Sequence, residues 1–225
     1  MVIAHVLLFL SFQSRSFMQS FLDRTLFFFV KEKWLAKFSL FFVTFFSLHS
    51  LVLLFFYIMG YVTYQPDWGT INAMLVVKTL FGLLVVFMLA WTEELIFRGA
   101  IYPYFAQFYK PTPSLLITSF IFMIVHNLKD PLALLTTEWR LGLGLFLLGV
   151  LLNQVFIITG KLYTGMGLHA GLVFVKVVLR RARFVDFIDL RQSHLVHFLF
   201  LIAIISIFIR YRRELLLKSS FSVKD

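Results

Sequence analysis

The sequence has no cysteine, which excludes disulfides, thiol catalysis and any Cys-ligated metal site. Charge is scarce as well. Only 14% of the residues are Asp, Glu, Lys or Arg, against about 25% in a soluble globular domain. Acidic residues are the rarer kind, 11 against 21 Lys and Arg. No His-Glu-x-x-His run occurs, so a metal site would have to be assembled across separate helices. No repeated half and no paired broken helices appear, which weighs against a transporter of the inverted-repeat kind. The apolar run from Val2 to Phe12 has no basic leader and no clear small-residue cleavage site, and predicts no removed signal peptide.

What remains is apolar. Of the 225 residues 60% are hydrophobic and 30 are Phe, with a mean hydropathy of +0.90. A water-soluble fold of this size could not cover so much apolar surface, whereas a bilayer can. The fold class that follows is all-α: a polytopic transmembrane helical bundle of about six to eight spanning helices, one integral membrane domain over residues 1–225. The spans predicted by runs of about 20 apolar residues are Phe38–Val62, Ile71–Trp91, the short Pro113–Leu128, Leu141–Thr159, Leu162–Leu179 and Leu195–Ile209. The first 33 residues have room for one more helix, part spanning and part interfacial.

The net charge of +10 is distributed in clusters between these runs. Lys31, Lys33 and Lys37, then Arg180, Arg181 and Arg183, then Arg210, Arg212 and Arg213 sit where topology anchors and anionic-lipid contacts belong. The pattern does not suit nucleic acid. The Lys31–Lys37 flank predicts a cytoplasmic start for the Phe38 helix. The two arginine clusters flank a single span and cannot both be cytoplasmic, which leaves orientation open. The compact chain suits a bacterial inner (plasma) membrane.

Ionisable residues inside spanning helices are costly and therefore functional candidates. Trp91-Thr92-Glu93-Glu94-Leu95-Ile96-Phe97-Arg98-Gly99 closes the second span with two carboxylates and an arginine. Glu94 and Arg98, four apart, share a helix face, while Glu93 points about 100° away. Pairing Glu94 with Arg98 leaves Glu93 as a buried carboxylate without its own cation, a candidate general base. The bland alternative is an ion cluster that only anchors the helix end. Phe122-Met-Ile-Val-His126 places an aromatic one turn before an imidazole that it can wall off, although a lone His near a helix end is commonly structural. His169, in Gly167-Leu168-His169-Ala170-Gly171, lies mid-helix among small residues that allow close helix approach.

One carboxylate and two histidines on three helices, Glu93, His126 and His169, are expected to converge. Two His and a carboxylate make a catalytic zinc set, and without metal the same trio can hold a water. His49 reads as a helix-packing hydrogen-bonder. Asp186, Asp189, His194 and His197 read as solvated or capping residues.

The three groups, in this order and spacing, resemble the motifs of the CAAX-protease and bacteriocin-processing family, which includes the type II CAAX prenyl endopeptidases. Glu94-Leu-Ile-Phe-Arg-Gly99 is similar to the surroundings of its first motif, and Thr159-Gly160-Lys-Leu-Tyr163 with Gly-Leu-His169-Ala to those of its third. The resemblance runs from about Phe81 to Val178. It implies a helical membrane bundle with a recessed site and an intramembrane endopeptidase acting on peptide, membrane-protein or lipidated substrates. Glu93 and His126 would position the attacking water, Glu94 and Arg98 would form the first-motif pair, and His169 would support the oxyanion or bind a divalent metal such as zinc. Metal and metal-free chemistry both stay open, with Glu93, His126 and His169 as the candidate ligands.

One departure stands out. The family's third motif usually carries Asn four residues after the His, and here that position is Val173. Losing an oxyanion donor costs about 10²–10³ in rate. A substitute amide is expected from Asn153 or Asn127 near His169, Asn153 being favoured, unless it serves only to bond another helix. Lys176 on the His169 face reads as a snorkelling lysine. The alternatives are a non-catalytic scaffold or immunity-type relative, which Val173 favours, and a proton-coupled transporter using Glu93, His126 and His169.

Overall fold

The structure is a computed structural model that describes residues 33–60, 73–181 and 193–221, with side chains described through Val175 and Arg210 in the last two stretches. The proposed N-terminal helix, Asp186 and Asp189 lie outside the described residues, as does the side chain of Lys176. The elements are helices α1 (Trp34–Ile58), α2 (Ala73–Glu94), a π-helical stretch (Leu95–Ile101), the short α3 (Tyr102–Phe105), α4 (Pro111–Val125), a 3₁₀ turn (Pro131–Leu135), α5 (Trp139–Thr159), α6 (Leu162–Arg181) and α7 (His194–Phe221). No strand occurs among the described residues, so the all-helical fold is borne out.

Three helical runs are long and apolar enough to cross a membrane: Trp34–Ile58, Ala73–Phe105 and Trp139–Thr159, with mean hydropathies of 2.1, 2.4 and 2.3. Pro111–Val125, Leu162–Val175 and His194–Arg210 are shorter apolar helices. The chain divides into two compact units, residues 1–104 with 161–188, and residues 105–160 with 189–225.

In the first unit α1 and α2 pack on α6. Two glycines bring α1 close. A Cβ on Gly167 would run into the carbonyl oxygen of Phe38, and one on Gly171 would come 2.5 Å from that of Phe42. The spacing of four puts both on one face of α6, the small-xxx-small arrangement by which membrane helices approach closely. His49 in α1 then reaches across, its Nδ1 2.7 Å from the Leu172 carbonyl oxygen, as the sequence predicts. On the α2 side Val86 and Ala90 meet Ala170, with Phe38, Phe42, Val173 and Phe174 packed around them. The face of α1 carrying Leu35, Leu40, Val43 and Leu51 and the face of α2 carrying Val76, Val77, Leu80 and Phe81 are exposed and apolar, as surfaces in contact with lipid are.

In the second unit α4 and α7 pack on α5, which is the most enclosed of the three long runs. Pro111 and Pro113 open α4, where a missing N–H costs nothing. The helix ends at Val125, three residues before the expected end, with His126 as its C-cap. Gly149 of α5 lies under Ser119 and Phe122 of α4, a Cβ there falling 3.1 Å from Ser119. Gly160 ends α5 in the left-handed region (φ 63°), its N–H on the Phe156 carbonyl. Gln154 of α5 donates to the Ile204 carbonyl of α7 over 3.4 Å. His197 differs from expectation. It is buried, and its ring meets that of His194 edge-on at 5.9 Å, while His194 in turn faces Trp139.

Candidate active site

The carboxylate-histidine cluster of the first unit sits where α2 passes into its π-helical stretch. Apolar residues carry α2 up to Ala90, and then Glu93 and Glu94 arrive in its last turn. Arg98 follows within the π-helical Leu95–Ile101, a widened helical geometry often found at functional sites. Arg98 is fully buried and Glu94 nearly so, and the Arg98 Nη1 donates to Glu94 Oε1 over 3.0 Å. A guanidinium and a carboxylate both removed from water must answer one another, because either alone would leave an uncompensated buried charge.

His169 of α6 faces this pair. Its Nδ1 is 3.4 Å from Glu94 Oε1, the same oxygen that Arg98 holds, and its Nε2 is 3.7 Å from Glu93 Oε2. The imidazole thus lies between two consecutive carboxylates, one facing each ring nitrogen. The 100° step between neighbouring helical residues, which separates Glu93 from Glu94, is what lets them approach the ring from two sides. The 3.7 Å separation exceeds a direct hydrogen bond, and at such a distance a water beside the two atoms can bridge them. Glu93 Oε2 and Glu94 Oε2 are buried oxygens without a hydrogen-bond partner among the described residues. Orphaned buried carboxylate oxygens are costly in ordinary folds and call for a functional explanation.

Glu94 therefore does more than the sequence reading assigned to it. It receives Arg98 and faces His169 with the same oxygen. Gly165 is the residue that sequence reasoning missed. It lies one turn before His169, and a Cβ there would stand 2.7 Å from Glu94 Oε2. Its signal was present in the glycine-rich Gly165-Met166-Gly167 run, but nothing in the sequence says which partner each glycine faces.

His126 belongs to the second unit. Its Nδ1 is 2.6 Å from the Phe122 carbonyl oxygen, and its ring centroid is 4.5 Å from that of Phe122. A carbonyl can only accept, so Nδ1 carries the proton and Nε2 the lone pair of the neutral ring. That is the tautomer able to accept a proton from water or to ligate a metal. The aromatic wall expected from Phe122 is in place.

Neither expected amide is spare. Asn153 is fully buried, and its Nδ2 donates to the Leu115 carbonyl over 3.3 Å and to Ser119 Oγ over 3.0 Å. Both donors of the amide are used in binding α5 to α4. Asn127 donates weakly to Glu138 Oε2 at 3.5 Å and accepts from the Asp130 N–H. Val173 lies in the apolar cluster of Val86, Ala90 and Ala170.

A catalytic zinc takes three protein ligands. Among the described residues no group of three or more His, Asp or Glu is placed to hold a metal ion. In the first unit Glu93 Oε2 and His169 Nε2 offer two donors facing one another, while Glu94 Oε1 is engaged by Arg98. This donor set falls one ligand short of a catalytic zinc.

Residues 75–175 match the family model described as type II CAAX prenyl endopeptidase Rce1-like. That segment runs from α2 into α6 and contains Glu93, Glu94, Arg98, His126 and His169, so the resemblance read from the three motifs is borne out. No curated protein and no solved structure matches the chain.

Proposed function

We propose that this chain, whose residues 75–175 match the type II CAAX prenyl endopeptidase Rce1-like family model, is an endopeptidase that hydrolyses peptide bonds of membrane-associated or lipidated substrates. The observation that carries the reading is the buried His169 ring with Glu94 facing Nδ1 and Glu93 facing Nε2. In this mechanism Arg98 holds the Glu94 carboxylate, and Glu94 draws the Nδ1 proton of His169 and so sets the ring's orientation. This is the role an orienting carboxylate plays for a catalytic histidine. Glu93 takes a proton from the water lodged beside it as the oxygen attacks the substrate carbonyl. His169 Nε2, protonated, donates to the developing oxyanion. Glu93 returns its proton to the leaving amine, so the water is divided between the two products.

Val173 supports a second reading. An apolar residue packed where the family has an amide is what a non-catalytic scaffold or immunity-type relative would tolerate. One assay separates the two. The purified protein is reconstituted in lipid vesicles and offered a C-terminally lipidated peptide and the same peptide without lipid, beside Glu93→Gln. Cleavage by the parent and its loss in the variant are expected. An inert parent favours the scaffold, and equal cleavage by both proteins removes Glu93 from the role of base.

A further inference from the structure

The Glu94 carboxylate is held on one side by Arg98 and faced on another by His169. On the side of Oε2 it meets Gly165, which has no side chain to present. We infer that Gly165 is a positioning residue: its missing Cβ lets α6 lie directly against the Glu94 carboxylate, and so sets the distance between Glu94 and His169. The inference rests on the peptidase reading for its kinetic consequence, but not for its geometry.

The distances carry the argument. A Cβ at Gly165 would stand 2.7 Å from Glu94 Oε2, 3.3 Å from Cδ and 3.9 Å from Cγ. Ordinary contact begins near 3.4 Å, so the carboxylate head would have to give way by about 0.7 Å. On an exposed glutamate that movement is trivial. Here Glu94 is 1% exposed, and its other oxygen is fixed at 3.0 Å from Arg98 Nη1 and 3.4 Å from His169 Nδ1. Close-packed surroundings pass such a displacement on instead of absorbing it. The carboxylate can retreat only by loosening its hold on Arg98, by changing its distance from His169 or by both. The other two glycines of this face act differently, since Gly167 and Gly171 meet the α1 backbone at Phe38 and Phe42. Their substitution separates two helices and leaves the carboxylate untouched.

The experiment is a cycle of Gly165→Ala, Glu94→Asp and the double variant, in the full chain reconstituted in vesicles. Gly165→Ala is expected to lower kcat by about tenfold or more, with KM within about twofold, because the displaced groups act on the reaction and not on substrate anchoring. Glu94→Asp alone withdraws the carboxylate from Arg98 and His169 and also lowers kcat. In the double variant the shorter side chain makes room for the added methyl, so the two losses do not multiply and the double falls no further than Glu94→Asp alone. Losses that multiply, or wild-type kcat in Gly165→Ala, overturn the inference.

A second measurement does not depend on turnover. In protein labelled with ¹⁵N-histidine, the ring-nitrogen resonances of His169 are identified by their absence in His169→Gln. Gly165→Ala is expected to shift them in the parent background, and to add little to the shift that Glu94→Asp alone produces. Unchanged resonances in Gly165→Ala overturn the inference. A parent without peptidase activity but with these shifts overturns the peptidase reading and leaves the positioning role standing.

Discussion

At the scale of the residue, the buried charges decide the behaviour of the site. Glu93 is about one-fifth exposed and faces the ring nitrogen of His169 across 3.7 Å, whereas Glu94 is wholly enclosed and tied to Arg98. Two adjacent glutamates thus have different surroundings. Glu93→Gln keeps the shape and removes the proton acceptor, and is expected to lower kcat by about 10²–10⁴ with the fold intact, the range that general-base catalysis contributes. Rate measurement beside a helicity spectrum checks it. Arg98→Met is expected to act on stability instead. It leaves the Glu94 carboxylate buried without its cation, a loss of about 3–5 kcal/mol, read as a large drop in the thermal midpoint of the detergent-solubilised protein. Unaltered stability in Arg98→Met would show that the pair is dispensable.

At the scale of the element, close approach and polar stitching hold each unit together. In α6 the residues Gly167 and Gly171 admit α1, and Leu172 supplies the carbonyl that His49 reaches. In α5 Asn153 binds two groups of α4. Interhelical hydrogen bonds of this kind are worth about 0.6 kcal/mol on average in membrane proteins. Asn153→Leu is therefore expected to cost stability of about that order, and to leave kcat within about twofold. A hundredfold fall in kcat at unchanged stability would return Asn153 to the site. Val173→Asn is expected to bring no gain in activity. The position packs on Val86, Ala90 and Ala170, where an amide without a partner costs about 1–3 kcal/mol. A rise in kcat for Val173→Asn would mean that the amide reaches the reacting carbonyl after all.

At the scale of the whole molecule, the bilayer replaces the aqueous surface of an ordinary fold. The exposed apolar faces of α1 and α2 are uncovered in water and satisfied in hydrocarbon. Because the chain has no cysteine, single cysteines can be introduced without a background. A spin label at Leu40→Cys or Leu80→Cys is expected to be relaxed by oxygen dissolved in the lipid and not by a water-soluble nickel chelate. At the fully buried Leu152 neither is expected to act. Strong relaxation by the aqueous reagent at Leu40 would remove that face from the membrane.

The sequence by itself determined the fold class, the approximate helices and the candidate site residues, because each rests on local quantities. Hydropathy along the chain reveals which runs a bilayer can hold. The rarity of charge within those runs singles out Glu93, Glu94, Arg98, His126 and His169. A spacing of four places Glu94 and Arg98 on one helix face. Tertiary structure decided what these residues meet. That Glu94 faces His169 with the oxygen that Arg98 holds, that Gly165 backs the same carboxylate, and that Asn153 spends both donors on α4 depend on helix rotation and on contacts between residues 34 to 75 positions apart. The π-helical turn after Glu94 was likewise invisible, since no residue between Leu95 and Ile101 marks it. Periodicity says which residues share a face. Which neighbour that face meets is decided by packing, where an added methyl at Gly165, 2.7 Å from a carboxylate oxygen, would change the answer.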